Sequence, residues 1–232
     1  MKTKIFADGA DVGGILAMVQ NPAISGFTTN PTLMRRAGLR DYEAFAKHVL
    51  EVVTHLPISF EVFSDDFPEM ERQARKIASW GENVFVKIPI TNTKGESCAP
   101  LVGRLAGAGV KTNVTAMMTP RQVEEILPSL AGGPEAFVSI FAGRVADTGR
   151  DPLPLMKEAL ALLQSTPHIE LIWASPREVL NYIQANDIGC HIITMTNDLI
   201  AKMELFGKDL NEFSLETVKM FEADARAAGF SL

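Results

Sequence analysis

Short apolar runs alternate with amphipathic stretches along the whole chain. The apolar runs are rich in β-branched and aromatic residues, which is typical of buried strands, and the stretches between them repeat apolar residues at helical spacing. The predicted strands cover 4–7, 24–29, 58–63, 84–90, 111–116, 136–142, 169–174 and 191–195. The predicted helices cover 12–19, 41–54, 66–80, 96–108, 120–130, 153–164, 176–185, 197–205 and 214–228.

Eight predicted strands that alternate with helices favour a closed parallel barrel of the α/β class, the (β/α)8 TIM barrel, over a doubly wound sheet. After the first strand, Gly9, Gly13 and Gly14 lack the spacing of a dinucleotide-binding motif. No linker or low-complexity segment divides the chain, so residues 1–232 are expected to form a single domain. The stretch 214–228 is surplus to a minimal barrel and is expected to be an additional C-terminal helix.

One predicted strand, 84–90, carries Lys87 in the middle of an apolar run. Burying an unpaired ammonium is expensive, and a buried amine tends to lose its proton instead. Lys87 could extend to solvent or face a carboxylate in a structural ion pair. Alternatively, it could stay partly neutral so that its amine attacks a carbonyl carbon and forms a Schiff base. The strand alone leaves both interpretations open.

Polar residues lie late in seven predicted strands, at the end of the barrel where active sites form. They are Asp8, Thr28, Asn30, Glu61, Lys87, Asn113, Thr115, Ser139 and Ser175. Because side chains alternate along a strand, Glu61 and Lys87 are expected to point into the same cavity from adjacent strands. Glu61 is then either a structural partner of Lys87 or a general acid/base beside a nucleophilic amine. Asp8 could equally cap the helix that follows it.

Two arginines, Arg144 and Arg177, follow the sixth and seventh predicted strands. Arg144 lies in a predicted polar loop over 143–151, and Arg177 comes two residues after Ser175. The guanidinium fork matches phosphate geometry, and the phosphate sites of such barrels usually lie in this region. Ser175 is also expected to begin a helix whose free N–H groups favour an anion. A solvated arginine would explain either residue alone, whereas the pair favours a phosphate site.

The amino-acid composition limits the classes of binding partner and the cellular compartment that are expected. The net charge of −6 argues against nucleic acid or an anionic membrane as the main partner. Cys98 and Cys190 lack the spacing of a disulfide framework or a zinc site, which favours a reducing cytosol, and no metal site is expected. No run is long enough to cross a bilayer and no signal peptide is recognised, so a cytoplasmic protein is expected.

Four motifs together resemble the transaldolase family: GFTTNPTL at 26–33, VKIP at 86–89, TNVT at 112–115 and ASPR at 174–177. They occur in family order and at barrel-like intervals over nearly the whole chain. The short length resembles the compact subfamily that includes fructose-6-phosphate aldolase. The resemblance implies a class I aldol mechanism on sugar phosphates, without a metal or organic cofactor. It also implies a homo-oligomer, with a pentameric or decameric ring as one arrangement.

The resemblance assigns roles to individual residues. Lys87 would form the Schiff base with a ketose phosphate, and Asp8 would shuttle the proton for carbon–carbon cleavage. Glu61 with Thr115 would hold the catalytic water. The dihydroxyacetone part of the substrate would lie against Asn30 and Ser139, with Thr28 nearby. The phosphate would bind Arg144, Ser175 and Arg177.

Two positions bear on the choice of reaction. In the aldolase branch the third strand carries glutamine where this chain has Glu61, and the sixth carries tyrosine where it has Phe141. Because Phe141 lacks a hydroxyl that could help release the ketone to water, the three-carbon unit is expected to wait for an aldehyde acceptor. The leading hypothesis is therefore transaldolase-type transfer of dihydroxyacetone, as in the pentose phosphate pathway. A fructose-6-phosphate aldolase-like sugar aldolase and a barrel that binds a sugar phosphate without turnover are the alternatives.

Three departures from the family pattern bear on the substrate. They are Gly9, where a hydroxyl residue is more common, Ile140, where proline is usual, and Pro176, where an aromatic residue is frequent. None of them removes a predicted catalytic group. Each could reshape the pocket, so the natural substrate could differ from the pentose-phosphate sugars.

Overall fold

Eight parallel strands, paired in sequence order, close into a barrel in the computed structural model, which describes residues 2–9, 11–29, 31–36, 38 and 40–229. The predicted (β/α)8 fold is therefore confirmed. The strands are β1 (Lys4–Asp8), β2 (Ile24–Thr28), β3 (Ile58–Glu61), β4 (Val84–Pro89), β5 (Thr112–Met117), β6 (Ala136–Ile140), β7 (Ile169–Trp173) and β8 (Ile192–Thr196). β1 pairs with both β2 and β8, which closes the sheet.

Helices alternate with the strands along the chain, and a final helix follows the last of them. They are α1 (Val12–Val19), α2 (Pro31–Arg36), α3 (Tyr42–Leu50), α4 (Phe67–Ala78), α5 (Ala99–Gly107), α6 (Pro120–Leu130), α7 (Ala142–Ala146), α8 (Leu153–Leu162), α9 (Leu180–Asp187), α10 (Asn197–Ala201) and α11 (Leu210–Ala227). Polar side chains cap several of their first turns. The Asp41 carboxylate accepts from Ala44 N–H at α3, and Thr119 with Gln122 forms a capping box at α6.

The sequence-based boundaries were wrong at two places near the carboxyl ends of the strands. Residues 142–146, predicted as strand end and loop, form the short helix α7, which carries Arg144. The helix expected to begin at Ser175 begins at Leu180, and its N-cap Val179 makes no side-chain cap bond. Asn181 Oδ1 instead accepts from the Arg177 and Glu178 N–H groups. The predicted helix-terminal anion site at Ser175 is therefore absent from the described structure.

The barrel interior changes from apolar to polar along the strands. Near the amino ends, Phe85 and Phe137 stack with centroids 4.1 Å apart, and Phe6 meets Phe137 edge-on at 5.5 Å. These rings form one cluster with Ile172, Ala174 and Ile192, all buried. Aromatic pairs of this kind fill space densely, so they form a floor inside the barrel. Buried polar side chains lie nearer the carboxyl ends.

A cavity of about 510 Å³ opens at the amino ends of the strands, on the opposite side of this floor. It is lined by residues that start or precede strands, such as Lys4, Lys111, Glu135, His168 and Glu170. Lys4 pairs with Glu170 at 2.8 Å and Lys111 with Glu135 at 3.2 Å. Four of the charged residues that line this cavity are thus used in two ion pairs, at the end of the barrel that usually serves stability.

The chain divides into two compact units, Met1–Ile200 and Ala201–Leu232. The first holds the barrel. The second holds a 3₁₀ turn (Lys202–Leu205) and α11, which the Asp209 carboxylate caps by accepting from Asn211 and Glu212 N–H. The additional C-terminal helix is thus present but begins one turn before the predicted 214–228, whereas the single-domain organisation stays a prediction. Among the described residues, no helix has both the length and the apolar character to cross a bilayer.

Candidate active site

Lys87 and Glu61 lie side by side at the carboxyl end of the barrel. They are register partners on β4 and β3, and Lys87 Nζ is 4.0 Å from Glu61 Oε2. Lys87 is only 7% exposed, and its Nζ donates to the Thr29 backbone carbonyl at 2.7 Å. The predicted adjacency is therefore observed. A separation of 4.0 Å is too long for a direct hydrogen bond and suits exchange of a proton through one water molecule.

The environment of Glu61 suits it to proton transfer. Burial raises the pKa of Glu61; the positive charge of Lys87 opposes this, and the negative charge of Asp8 adds to it. A carboxyl group whose pKa is raised can hold its proton closer to neutral pH and return it, as a general acid/base must. Glu61 and Asp8 therefore share one electrostatic environment beside the lysine.

Asp8 is the last residue of β1, and its carboxylate is hydrogen-bonded to a chain of two threonine hydroxyl groups. Thr28 Oγ1 donates to Asp8 Oδ1 at 2.8 Å, and the same hydroxyl is hydrogen-bonded to Thr194 on β8. Asp8 does not cap α1, because Asp11 takes that position by accepting from Gly13 and Gly14 N–H. The Asp8 carboxylate therefore stays at the barrel mouth with Thr28.

A second polar chain crosses the interior from β6 to β3. Ser139 Oγ donates to Asn113 Oδ1 at 2.7 Å, and Asn113 Nδ2 donates to Ser59 Oγ at 3.0 Å. All three residues are buried. The nearby Thr115 hydroxyl is also buried and has no hydrogen-bond partner among the described residues. Because buried polar groups are normally paired, this hydroxyl is suited to a water molecule or a polar substrate group.

Phe141 and Arg144 flank the start of α7. Phe141 packs against the aromatic floor, and its ring lies 5.1 Å from the Arg144 guanidinium carbon. Such a cation–π contact orients the guanidinium without consuming its hydrogen-bond donors. Arg144 is exposed, so these donors face solvent at the barrel mouth.

Arg177 is engaged by a carboxylate. Its Nε donates to Asp147 Oδ1 at 2.9 Å, and its Nη2 donates to Asp147 Oδ2. Hydrogen bonds from Arg177 and the charges of Arg177 and Arg144 keep the pKa of Asp147 below its usual range. Asp147, the C-cap of α7, therefore acts as a counter-ion at the predicted phosphate site. A substrate phosphate would have to share Arg177 with Asp147 or displace this carboxylate.

Ser175 has an unusual backbone that α7 holds in place. Its φ of +59° lies in the left-handed region, which costs a non-glycine residue roughly 1–2 kcal/mol. Gly143 packs against it so closely that a Cβ at position 143 would lie 1.5 Å from the Ser175 carbonyl oxygen. Strained residues of this kind are frequent at functional sites, where surrounding packing over-determines them.

Gly143→Ala is expected to destabilise the protein by roughly 1–3 kcal/mol or more, because two backbone segments must separate to admit the methyl group. The measurement is the free energy of unfolding from urea titration. Gly107→Ala is the matched control. Gly107 lies in α5 with nothing within 4 Å of the added Cβ, so that change should be neutral or stabilise by up to about 1 kcal/mol. Equal free energies for the two variants would contradict the prediction.

Neither cysteine is a candidate nucleophile. Cys98 and Cys190 are buried and free, and burial raises the pKa of Cys98 to about 11 and that of Cys190 to about 12. Both thiols therefore stay protonated, whereas the thiolate is the reactive form.

The structure thus brings together, at one end of the barrel, most of the residues predicted from the sequence. Lys87, Glu61, Asp8, Thr28, Thr115 and Ser139 line the mouth, with Phe141, Arg144, Ser175 and Arg177 on the β6 and β7 side. Asn30 lies outside the described residues. Sequence reasoning missed Thr194, Tyr42 and Asp147. Alternation along β8 could have indicated Thr194, because Ile192 and Thr194 share a face.

Comparisons with known proteins identify the family of the chain. The sequence matches the family described as Transaldolase/Fructose-6-phosphate aldolase over residues 5–232. A "Probable transaldolase" of Thermoanaerobacter is 34% identical, and the match covers 99% of this chain and 100% of the relative. A "Probable transaldolase" of Streptococcus equi subsp. zooepidemicus is 37% identical, and the match covers 86% of this chain and 89% of the relative. A crystal structure described as a "putative fructose-1,6-biphosphate aldolase" from Coccidioides immitis shares the fold, with a TM-score of 0.58 at 11% identity over 89% of this chain and 81% of that one. The chain belongs to the transaldolase/fructose-6-phosphate aldolase family.

Proposed function

We propose that this protein transfers a dihydroxyacetone unit from a ketose phosphate to an aldose phosphate through a Schiff base on Lys87. One observation carries the proposal: a nearly buried lysine amine lies 4.0 Å from a carboxyl group whose pKa is raised. A structural ion pair would bring the two groups into direct hydrogen-bonding contact. This longer spacing instead leaves the amine accessible to a carbonyl carbon.

The side chains account for each proton in the proposed cycle. The neutral Lys87 amine attacks the C2 carbonyl of the ketose, and one proton moves from the nitrogen to the former carbonyl oxygen. Glu61 then protonates the resulting hydroxyl, which leaves as water and produces an iminium. Asp8 takes the proton from the C4 hydroxyl while the C3–C4 bond breaks and its electrons move into the iminium as an enamine. The first aldehyde then leaves. The enamine attacks the carbonyl of the second aldehyde, and Asp8 returns the proton. Water then adds to the new iminium, Glu61 recovers its proton, and the new ketose and the Lys87 amine are released.

A fructose-6-phosphate aldolase-like activity with the same lysine is the second candidate, because the matched family includes both reactions. The side chain at position 141 favours transfer. Phe141 has no hydroxyl with which to assist protonation of the enamine, so release of free dihydroxyacetone to water is expected to be slow.

Trapping with borohydride tests the Schiff base. Addition of borohydride together with fructose 6-phosphate should reduce the iminium and leave a stable three-carbon adduct on Lys87, located by peptide mass mapping. Absence of an adduct would reject both enzymatic functions and leave a barrel that binds a sugar phosphate without turning it over.

Release of dihydroxyacetone separates the two reactions. We expect free dihydroxyacetone to form slowly from fructose 6-phosphate alone, and the three-carbon unit to appear in a new ketose when erythrose 4-phosphate or glyceraldehyde 3-phosphate is present. Fast release without an acceptor would establish the aldolase and overturn the proposed transfer.

Arg177→Ala is expected to raise KM for phosphorylated ketoses roughly 10-fold or more, because the guanidinium fork supplies charge-assisted hydrogen bonds to phosphate. The KM for dihydroxyacetone as a donor should change much less. Arg150→Ala is the matched control, since Arg150 is exposed in the loop between α7 and α8 and donates to the Thr148 hydroxyl. Equal effects of Arg177→Ala on phosphorylated and unphosphorylated substrates would argue against a phosphate role.

We also propose that the chain forms a homo-oligomer, such as a ring, in the cytoplasm. Within the second unit, α11 exposes the large apolar side chains Leu210, Phe213, Leu215, Val218, Met220 and Phe221. Exposed apolar groups in this number are typical of association surfaces. The free thiols of Cys98 and Cys190 fit a reducing compartment. A monomeric mass in solution would contradict the assembly.

A further inference from the structure

Tyr42 lies behind the catalytic side chains and touches the backbone that carries them. It is the first residue of α3, directly after the N-cap Asp41. Its ring meets Phe60, Phe63 and Trp80 edge-on, with centroids 4.6–6.1 Å apart. Three T-shaped contacts hold the ring in one orientation, so the position of its hydroxyl is set by packing.

The Tyr42 hydroxyl joins β2 to β3. It accepts from the Glu61 backbone N–H at 2.7 Å, and it is hydrogen-bonded to the Thr29 side chain. The Thr29 hydroxyl donates to the Ser59 carbonyl at 2.8 Å, so it accepts from Tyr42. Burial raises the pKa of Tyr42 above its usual range, which keeps the phenol proton available for this bond.

The ladder between β2 and β3 shows what this hydroxyl replaces. Phe27 N–H donates to the Pro57 carbonyl, and Thr29 N–H donates to the Ser59 carbonyl. In a regular parallel ladder the next rung would run from Glu61 N–H to the Thr29 carbonyl. Glu61 N–H binds Tyr42 instead, and the Thr29 carbonyl accepts from Lys87 Nζ at 2.7 Å.

We propose that Tyr42 is a positioning residue for Lys87: its hydroxyl takes the Glu61 N–H that would otherwise occupy the Thr29 carbonyl, and so reserves that carbonyl for the lysine amine. The carbonyl accepts one N–H of the amine and so holds Nζ at its observed place, 4.0 Å from Glu61 Oε2. The same hydroxyl fixes the backbone of Glu61. One side chain outside the barrel thereby sets the spacing between Lys87 and Glu61.

The kinetic consequence rests on the proposed Schiff-base function. Tyr42→Phe removes only the hydroxyl and keeps the ring, so Glu61 N–H is expected to close the next rung on the Thr29 carbonyl and displace the amine. Misplacement of a reacting group by about 1 Å can cost about 100-fold in rate. We expect the rate of borohydride-trapped adduct formation and kcat to fall about 10- to 100-fold, with KM for fructose 6-phosphate changed less than threefold.

Trp80→Phe is the matched control. It disturbs the packing against the same ring but leaves the Tyr42 hydroxyl and its two hydrogen bonds intact. Both variants should lower Tm, but only Tyr42→Phe should slow adduct formation. A trapping rate for Tyr42→Phe within twofold of wild type, or an equal loss in Trp80→Phe, would overturn the inference and assign Tyr42 to packing alone.

A crystal structure of Tyr42→Phe separates this inference from the proposed function. We expect Lys87 Nζ to leave the Thr29 carbonyl and Glu61 N–H to approach it. An unchanged Lys87–Thr29 contact would overturn the inference whatever the enzyme does. If the wild-type protein forms no adduct but the variant shows the rearrangement, the proposed function fails while the positioning role of Tyr42 stands.

Discussion

Replacement of Lys87 by methionine should abolish transfer, lowering kcat/KM by at least about 10⁴-fold, and should eliminate the borohydride-trapped adduct. Methionine keeps the unbranched length of the side chain and suits a site that is 93% removed from solvent. The barrel should therefore fold. Loss of the lysine charge also removes the attraction that opposes the raised pKa of Glu61, so the remaining carboxyl group should be protonated more readily.

Lys111→Met is the control for this variant. Lys111 precedes β5 at the opposite end of the barrel and pairs with the exposed Glu135, so its replacement should leave turnover unchanged. Full activity of Lys87→Met, or an adduct that moves to another lysine without loss of rate, would contradict Lys87 as the nucleophile.

Asp8→Asn should reduce kcat by about 10²- to 10⁴-fold while Schiff-base formation persists. The asparagine oxygen can still accept from Thr28 Oγ1, so the hydroxyl chain through Thr28 and Thr194 keeps its geometry. The amide cannot take the C4 hydroxyl proton, and the carbon–carbon bond should stay intact. The expected signature is an adduct that carries the whole ketose after borohydride reduction.

Asp11→Asn is the matched control on the same loop. Asp11 caps α1 through Gly13 and Gly14 N–H, and asparagine is an equally good capping residue. Its turnover should match wild type. If Asp8→Asn loses the adduct together with turnover, Asp8 acts before cleavage and the proposed proton route is wrong.

Sequence periodicity predicted the part of the site that depends on strands. Alternation on β3 and β4 was enough to place Glu61 beside Lys87, because a parallel register pairs residues at the same height. The barrel could also be predicted, since most strands are short apolar runs and most of the helices between them carry one apolar face. These features are local and repeat at a fixed period.

The features that were missed depend on contacts between elements distant in sequence. Asp147 pairs with Arg177 across 30 residues, and Tyr42 reaches Glu61 from α3. The Ser175–Pro176 pair has the composition of a helix start, but close packing of Gly143 and a left-handed Ser175 delay α9 to Leu180. Local propensity cannot anticipate such tertiary contacts.

The aromatic floor formed by Phe6, Phe85 and Phe137 fills the barrel interior near the amino ends of the strands, so access to the polar residues from that end is blocked. In the proposed cycle, the donor, the first product and the acceptor must therefore all pass through the carboxyl end of the barrel. The acceptor then binds only after the first aldehyde has left. Initial rates should follow a double-displacement pattern, with parallel lines in reciprocal plots at different acceptor concentrations. Each aldehyde should also compete with the other for the loaded lysine, so the direction of flux would be set by their relative concentrations.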